Sequence, residues 1–344
     1  MKILYAIQGT GNGHLSRAKE VIPALLSRAQ VDILVSGTQS DIDLPYPIKY
    51  KLSGISFVFG KNGGIDYWKS LRANNLFRII KEIRACNVKA YDLIINDFEP
   101  ITAWASYLNQ DINCVALSHQ SALLSKQSPK PEKRNRIGEF ILRNYAPTIV
   151  NYGFHFKRYD KNINLPIIRK DIRMQQVKEK NYYVIYLPAY SDKNIIEVLS
   201  KLKTNAKWYV FSKHSKKSYK VNHIKIKPVG EAQFEKRLAY CKGVICGAGF
   251  ETPAEALYLR KKLLVIPMKG QYEQLYNAAS LKGIGVDVLP EFNRKHLQFV
   301  ENWMHKTQKI ELDFPDKTQF IIDEIITNHI IATELSNDIM QQIY

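Results

Sequence analysis

The sequence predicts an α/β protein of two doubly wound halves facing across a cleft, and three observations lead to that fold class. Residues 2–7 form an apolar strand, break at Gly9-Thr10-Gly11-Asn12-Gly13-His14, enter a helical pattern from Leu15 to about Arg28 and return to a strand at 31–35. The order restarts after a linker at 161–171, with a strand at 182–187, a turn at 188–192, a helix at 194–203 and a strand at 208–211. A third run has apolar strands at 243–246 and 263–266 on either side of a helix that opens near Thr252. Short buried strands alternating with helices build parallel sheets. A chain of 344 residues exceeds what one core usually supports. The expected division is 1–162, 163–316 and a tail, 317–344, whose apolar positions at helical spacing pack it back across the junction.

Taken in order, the first glycine turn is not a dinucleotide fingerprint. Its glycines fall at 9, 11 and 13, and the nearby acid, Asp32, begins the second strand where a ribose-binding acid would end it. Residues 41–43 are a D-x-D motif with no strand leading into it, which reads as a solvated turn and not as a metal site. A glycine and aromatic loop at 54–67 is of the kind that closes over a substrate. Residues 71–86 read as a basic amphipathic helix. Strands at 91–97 and 114–117 end in Asp97-Phe98-Glu99-Pro100 and Ser118-His119-Gln120, and polar groups past such strand ends face the ligand crevice. The proline- and lysine-rich stretch 125–136 is an exposed loop, either simply solvated or docking on an anionic surface. In the second half, the lysine-rich run 213–227 is solvated and 230–239 is helical.

Residues 246–277 carry the strongest chemical signal. Gly247, Ala248 and Gly249 break the chain between a strand and a helix, with Pro253 in the first helical turn, where no NH partner is lost. Glycines allow close backbone approach, and the free NH groups and positive dipole end of a helix N-terminus favour a phosphate. The strand at 263–266 then ends in a polar loop, 269–274.

Composition narrows the partners. A net charge of +18 attracts polyanions, whether nucleic acid, anionic lipid or phosphorylated substrates, although lysine-rich composition also accompanies AT-rich genomes. The four cysteines show no CxxC and no neighbouring histidines at metal-ligand spacing, so free thiols in a reducing compartment are expected. The first seven residues are too short for a signal segment, and no apolar run of about eighteen residues spans a bilayer.

The block CGAGFETPAEAL…LLVIPMKGQYEQLYNAASL resembles the donor-binding segment of GT-B nucleotide-sugar glycosyltransferases. The segments GTGNGHLSRA, NDFEP and SHQS resemble a bacterial and archaeal branch related to the lipid-linked GlcNAc transferase of peptidoglycan synthesis. The resemblance covers most of the chain and implies a GT-B fold, two Rossmann-like domains, with the acceptor in the first and the nucleotide sugar in the second. It implies that Gly247, Ala248, Gly249, Phe250, Glu251 and Thr252 meet the donor diphosphate, with Ser191 reaching the phosphates. Glu255 takes the ribose and Phe234 lies near the base. Gln271, Glu273 and Gln274 belong to the loop that holds the sugar, with Asn277 one turn on. Gly11, Asn12, Gly13 and Arg17 fall to the acceptor or a phosphate.

His14 is the candidate base, because an imidazole is suited to take the proton of an attacking hydroxyl. Asp97 and His119 orient it or bind the acceptor. A diphosphate needs NH donors and sugar hydroxyls need carboxylate and amide acceptors, which agrees independently. Plainer readings exist beside these: Thr252 and Glu255 match a T-x-x-E capping box, and His14 matches a loop histidine bonded to backbone. The sequence has GTGNGH where the peptidoglycan enzymes have GGTGGH, and Leu187-Pro188-Ala189-Tyr190 where they have a glycine loop, so the acceptor and sugar stay open.

The implied activity is inverting, metal-independent transfer from a UDP-linked sugar to a hydroxyl acceptor on a lipid or cell-envelope glycan. No cofactor is implied, and the expected location is cytoplasmic, peripheral on the inner face of the membrane. A nucleotide-sugar 2-epimerase is the rival enzyme. The rival from another class is a basic protein binding membrane or nucleic acid with a vestigial pocket, ranked last because no aromatic and basic single-strand motif occurs.

Overall fold

The computed structural model describes residues 1–37, 43–55, 74–109, 112–132, 136–230 and 233–331. The first half runs β1 (Lys2–Gln8), α1 (Asn12–Leu26), β2 (Gln30–Ser36), β3 (Tyr50–Leu52), α2 (Leu76–Ala85), β4 (Leu93–Asp97), α3 (Pro100–Leu108), β5 (Cys114–Ser118), α4 (His119–Leu124), α5 (Arg136–Asn144), β6 (Val150–Phe154) and β7 (Ile163–Asn164). Its sheet has the order β3-β2-β1-β4-β5-β6-β7 and every pairing is parallel.

The second half runs α6 (Lys170–Arg173), β8 (Tyr182–Tyr186), α7 (Asp192–Leu199), β9 (Lys207–Ser212), β10 (Tyr219–Val221), β11 (Ile224–Pro228), α8 (Phe234–Tyr240), β12 (Gly243–Gly247), α9 (Glu251–Tyr258), β13 (Lys262–Ile266), α10 (Tyr272–Gly283), β14 (Asp287–Val288), α11 (Leu297–His305) and α12 (Thr318–Ile326). Its order is β10-β11-β9-β8-β12-β13-β14, with β10 antiparallel to β11. The central strands β4 and β5 are buried throughout, as a sheet covered by helices on both faces requires. In each sheet the strand order reverses once, between β1 and β4 and between β8 and β12. Crevices form at the carboxyl ends of strands at such a reversal, and these two reversals set the cleft.

The first sheet takes in Ile163–Asn164, paired to β6, so it runs past the expected boundary at 162. Helix α1 begins at Asn12, earlier than the expected Leu15, because Gly11 turns the chain at φ 96° and lets the helix start at once. That shift puts His14 inside the first turn. After α11 the chain crosses back, and α12 packs on α1 with both Arg28 Nε and Nη2 on the Asp323 carboxylate at 2.7 and 2.8 Å. Residues 41–42, most of the loop at 54–67 and the end of the tail, 332–344, lie outside the described residues.

Helices α5 and α10 meet between the halves. A Cβ on Gly138 would stand 2.7 Å from Cγ of Tyr272, whose hydroxyl donates to Glu139 at 2.6 Å. Gly138→Val therefore loses about 1–3 kcal/mol through forced displacement of the ring. A thermal melt checks this as a lowered midpoint, and an unchanged midpoint would show that the contact gives way freely.

Candidate active site

The first half supplies a histidine, an aspartate and an arginine. Asn96 donates to the Glu99 carbonyl at 2.7 Å and accepts the Glu99 NH at 2.9 Å, while the Glu99 carboxylate caps α3 by accepting the NH groups of Ile101 and Thr102. This closed turn holds Asp97 at the end of β4 and puts Phe98 in the left-handed region at φ 58°. Such strain in a non-glycine residue collects at functional sites. The Phe98 ring lies parallel to His14 at 6.5 Å and stacks on Tyr145 at 4.7 Å.

His14 Nδ1 lies 2.8 Å from Asp97 Oδ1, and Arg17, one turn along α1, donates to the same oxygen at 2.6 Å. Asp97 is fully buried. Burial raises its pKa, but the Arg17 guanidinium and His14 outweigh that, and the carboxyl is held below its ordinary value. An ionised Asp97 only accepts, so His14 carries its proton on Nδ1 and turns the Nε2 lone pair outward, where the Gln120 amide nitrogen sits at 3.3 Å.

The second half supplies an anion cradle. No side chain caps the N-terminus of α9, so its first-turn NH groups face the cleft, and a Cβ on Gly249 would meet nothing within 4 Å. Thr252 lies inside the helix, not at its cap. Glu255 is 3 % exposed and both of its oxygens accept from Arg169, at 2.6 and 3.1 Å, while Arg169 also reaches Glu235 at 3.0 Å. The capping-box reading of Thr252 and Glu255 is thereby set aside. Phe234 packs edge-on against Phe211 at 4.8 Å and Tyr186 at 6.1 Å, an apolar wall at the far end.

The two sets face each other. Arg17 Nη1 donates to Glu251 Oε1 at 2.5 Å, and Gln120 Nε2 donates to Glu273 Oε2 at 3.1 Å. Between them lies a cavity of about 900 Å³ lined by residues of both halves, among them Gly11, Asn12, Gly13, His14, Arg17, Gly247, Gly249 and Gln271. That size suits a small-molecule site. Among the described residues no three His, Cys, Asp or Glu side chains converge as metal ligands.

The family profile described as Glycosyl transferase family 1 matches residues 1–306. The chain belongs to this family. No curated protein matches the sequence. Among solved structures, UGT2 of Phytolacca americana, complexed with UDP-2-fluoro-glucose and pterostilbene, is 12% identical with a TM-score of 0.55, covering 99% of this chain and 98% of that one. A UDP-glucosyltransferase from Polygonum tinctorium that glucosylates indoxyl gives 11%, 0.55, 95% and 93%. MurG of Acinetobacter baumannii gives 15%, 0.51, 94% and 98%. These likenesses bear out the GT-B fold, and with the family match the protein is a glycosyltransferase.

Within this family 1 enzyme, three of the expected donor-site residues, Ser191, Asn277 and Ala248, stand outside the cavity lining, and His119 borders it with its ring nitrogens engaged. Ser191 caps α7 by accepting the Asn194 NH at 3.3 Å and does not line the cleft, where Pro188 and Ala189 stand instead. Asn277 is fully buried, donating to the Ala248 carbonyl at 3.0 Å. Ala248 is itself buried and serves as the anchor of the turn. His119 has Nδ1 at 2.8 Å from the Phe154 carbonyl and Nε2 at 2.6 Å from Asn277 Oδ1, so neither nitrogen is left for a substrate proton. Burial lowers its pKa, and its ring stacks on Phe250 at 3.9 Å, making it a strut between the halves. Gln274 lines the cavity while bracing its loop, accepting the Met268 NH at 2.9 Å and donating to Gln271 at 2.8 Å. Arg169 and Gln120 line the cleft; Gln120 was expected at a strand end facing the crevice but given no role, and Arg169 was not expected there. The SHQS strand end was the available signal for Gln120, whereas nothing in the linker pointed to Arg169.

Proposed function

We propose that this glycosyltransferase moves a sugar with inversion from a UDP-linked donor to a hydroxyl acceptor, without a metal ion. The observation that carries the reading is the Asp97-held His14, which lines the same cavity as the uncapped start of α9. The acceptor oxygen bonds to the anomeric carbon while its proton passes to His14 Nε2. The bond from that carbon to the diphosphate oxygen breaks, and the electron pair leaves on the nucleoside diphosphate. The NH groups of α9, the Thr252 hydroxyl and Arg17 meet the growing charge, the task a metal would otherwise perform. Glu255, steadied by Arg169, accepts from the ribose, Phe234 borders the base, and Glu273 with Gln271 and Gln274 faces the sugar.

The acceptor is placed on a lipid or cell-envelope glycan at an anionic membrane surface. Support comes from α2, which exposes Leu76, Phe77 and Ile80 among Arg78, Lys81 and Arg84, and from α5, which exposes Ile137 and Phe140 beside Arg136 and Arg143. Apolar side chains flanked by cations suit an interfacial helix. Among the described residues no helix is long and apolar enough to cross a membrane. Co-sedimentation with vesicles is expected to rise with their anionic lipid content, and to fall in a Phe77→Ser, Phe140→Ser variant; indifference to both would remove the membrane from the account.

The activity itself is tested with a panel of UDP, TDP and GDP sugars against glycolipid acceptors, reading nucleotide release and the anomeric configuration of the product by NMR. Turnover that survives a chelator and inverts the anomeric centre is expected. Sugar interconversion with no acceptor present would mark a 2-epimerase instead.

A further inference from the structure

Arg17 is a buried cation in the middle of the cleft, 2 % exposed, and it belongs to the first half of the chain. Its Nη2 serves Asp97, while its Nη1 reaches across the cavity to Glu251. Its Nε is buried with no partner among the described residues, so the guanidinium has a donor to spare. Glu251 stands at the first position of α9, where the uncapped NH groups make an anion site. The Glu251 carboxylate takes none of those NH groups and is held beside them by Arg17, so an anion already occupies the arginine that a phosphate there would meet.

Resting on the donor reading above, we propose that Glu251 is a specificity-determining residue: its carboxylate fills the subsite of the donor's outer phosphate and yields it, with Arg17, only to a ligand bearing a diphosphate. A monophosphate ends short of Arg17 and gains nothing from the exchange. A neutral sugar cannot replace the carboxylate as the partner of a buried cation.

The surroundings of Glu251 make the exchange sensitive to pH. From α1 it is faced by Arg17 and His14, from the end of β4 by Asp97, and from its own helix by Glu255. Burial, then Glu255 and Asp97, push its carboxyl up to about 7 against the lowering pull of Arg17 and His14. Below that value the group is protonated and releases Arg17 readily; above it, it competes as a full anion.

Calorimetry of UDP and UMP binding to the wild type and to Glu251→Gln, from about pH 6 to pH 8, tests this. Taking the ratio of the two proteins' affinities cancels the titration of the ligand itself. The variant is expected to bind UDP about tenfold more tightly near pH 8, a difference of about 1.4 kcal/mol, shrinking toward parity near pH 6, with UMP affinity unchanged. Parity for UDP across the range, weaker UDP binding by the variant, or an equal gain for UMP would overturn the assignment. If the variant does not fold, wild-type affinity for UDP-glucose, whose diphosphate does not titrate in this range, must fall as pH rises through 7, and a flat profile would contradict the proposal. Inorganic pyrophosphate separates the two readings. If UDP binds neither protein but pyrophosphate binds the variant more tightly, the donor reading fails and the Glu251 assignment stands; if pyrophosphate binds neither, the assignment falls.

Discussion

His14→Ala is expected to lower turnover by about 10²- to 10⁴-fold, the range that a positioned general base supplies, while UDP affinity stays within about twofold. The base acts only as the acceptor hydroxyl attacks, so its loss falls on the rate and not on donor binding. Asp97→Asn is expected to lose a comparable factor, since an amide no longer holds the ring with its proton on Nδ1, 2.8 Å away. The same variant leaves Arg17 with one carboxylate fewer. Initial rates of nucleotide release, measured alongside calorimetric UDP binding, check both. Full turnover by His14→Ala would require the proton to go elsewhere.

The second large effect is at Glu255. Removing a buried carboxylate that accepts from hydroxyls costs about 1.5–3 kcal/mol, so Glu255→Ala is expected to weaken UDP binding by about 10- to 100-fold. Arg169 keeps Glu235 at 3.0 Å, which limits the damage to the fold. A 2′,3′-dideoxy analogue of UDP sharpens the test, because without the ribose hydroxyls it should bind the wild type and the variant alike. If the analogue loses as much affinity as UDP does, Glu255 acts by shaping α9 and not by holding the ribose.

Much of this site is legible in the sequence because it rests on local chemistry. The glycine turn at 247–249 and the helix after it are dictated by residues adjacent in the chain, and so are the strand ends carrying Asp97 and His119. The βαβ opening likewise placed His14 close to where the fold puts it, although Gly11 starts the helix three residues early. Two of the features that escaped depend on partners far away in sequence. His119 does border the cleft, but it reads as free to orient His14 or bind the acceptor until Asn277, on the other half of the chain, is found at its Nε2. Arg169 sits in a linker whose composition gives no hint that it clamps Glu255. Ser191 falls in the turn where phosphates are expected, but a serine three residues before a free helical NH makes an equally good cap, and here that local bond is the one formed. The short edge strands β3, β7, β10 and β14 have at most three residues each, too few for a periodic signal.

The most direct test of the account is a crystal structure of the protein with UDP and an unreactive 2-fluoro sugar donor. The diphosphate is expected at the start of α9, the ribose within hydrogen-bonding reach of Glu255, and the anomeric carbon on the side of the cavity that His14 Nε2 faces. A nucleotide sugar bound at saturating concentration with its anomeric carbon turned away from His14, or bound outside this cleft, would contradict it.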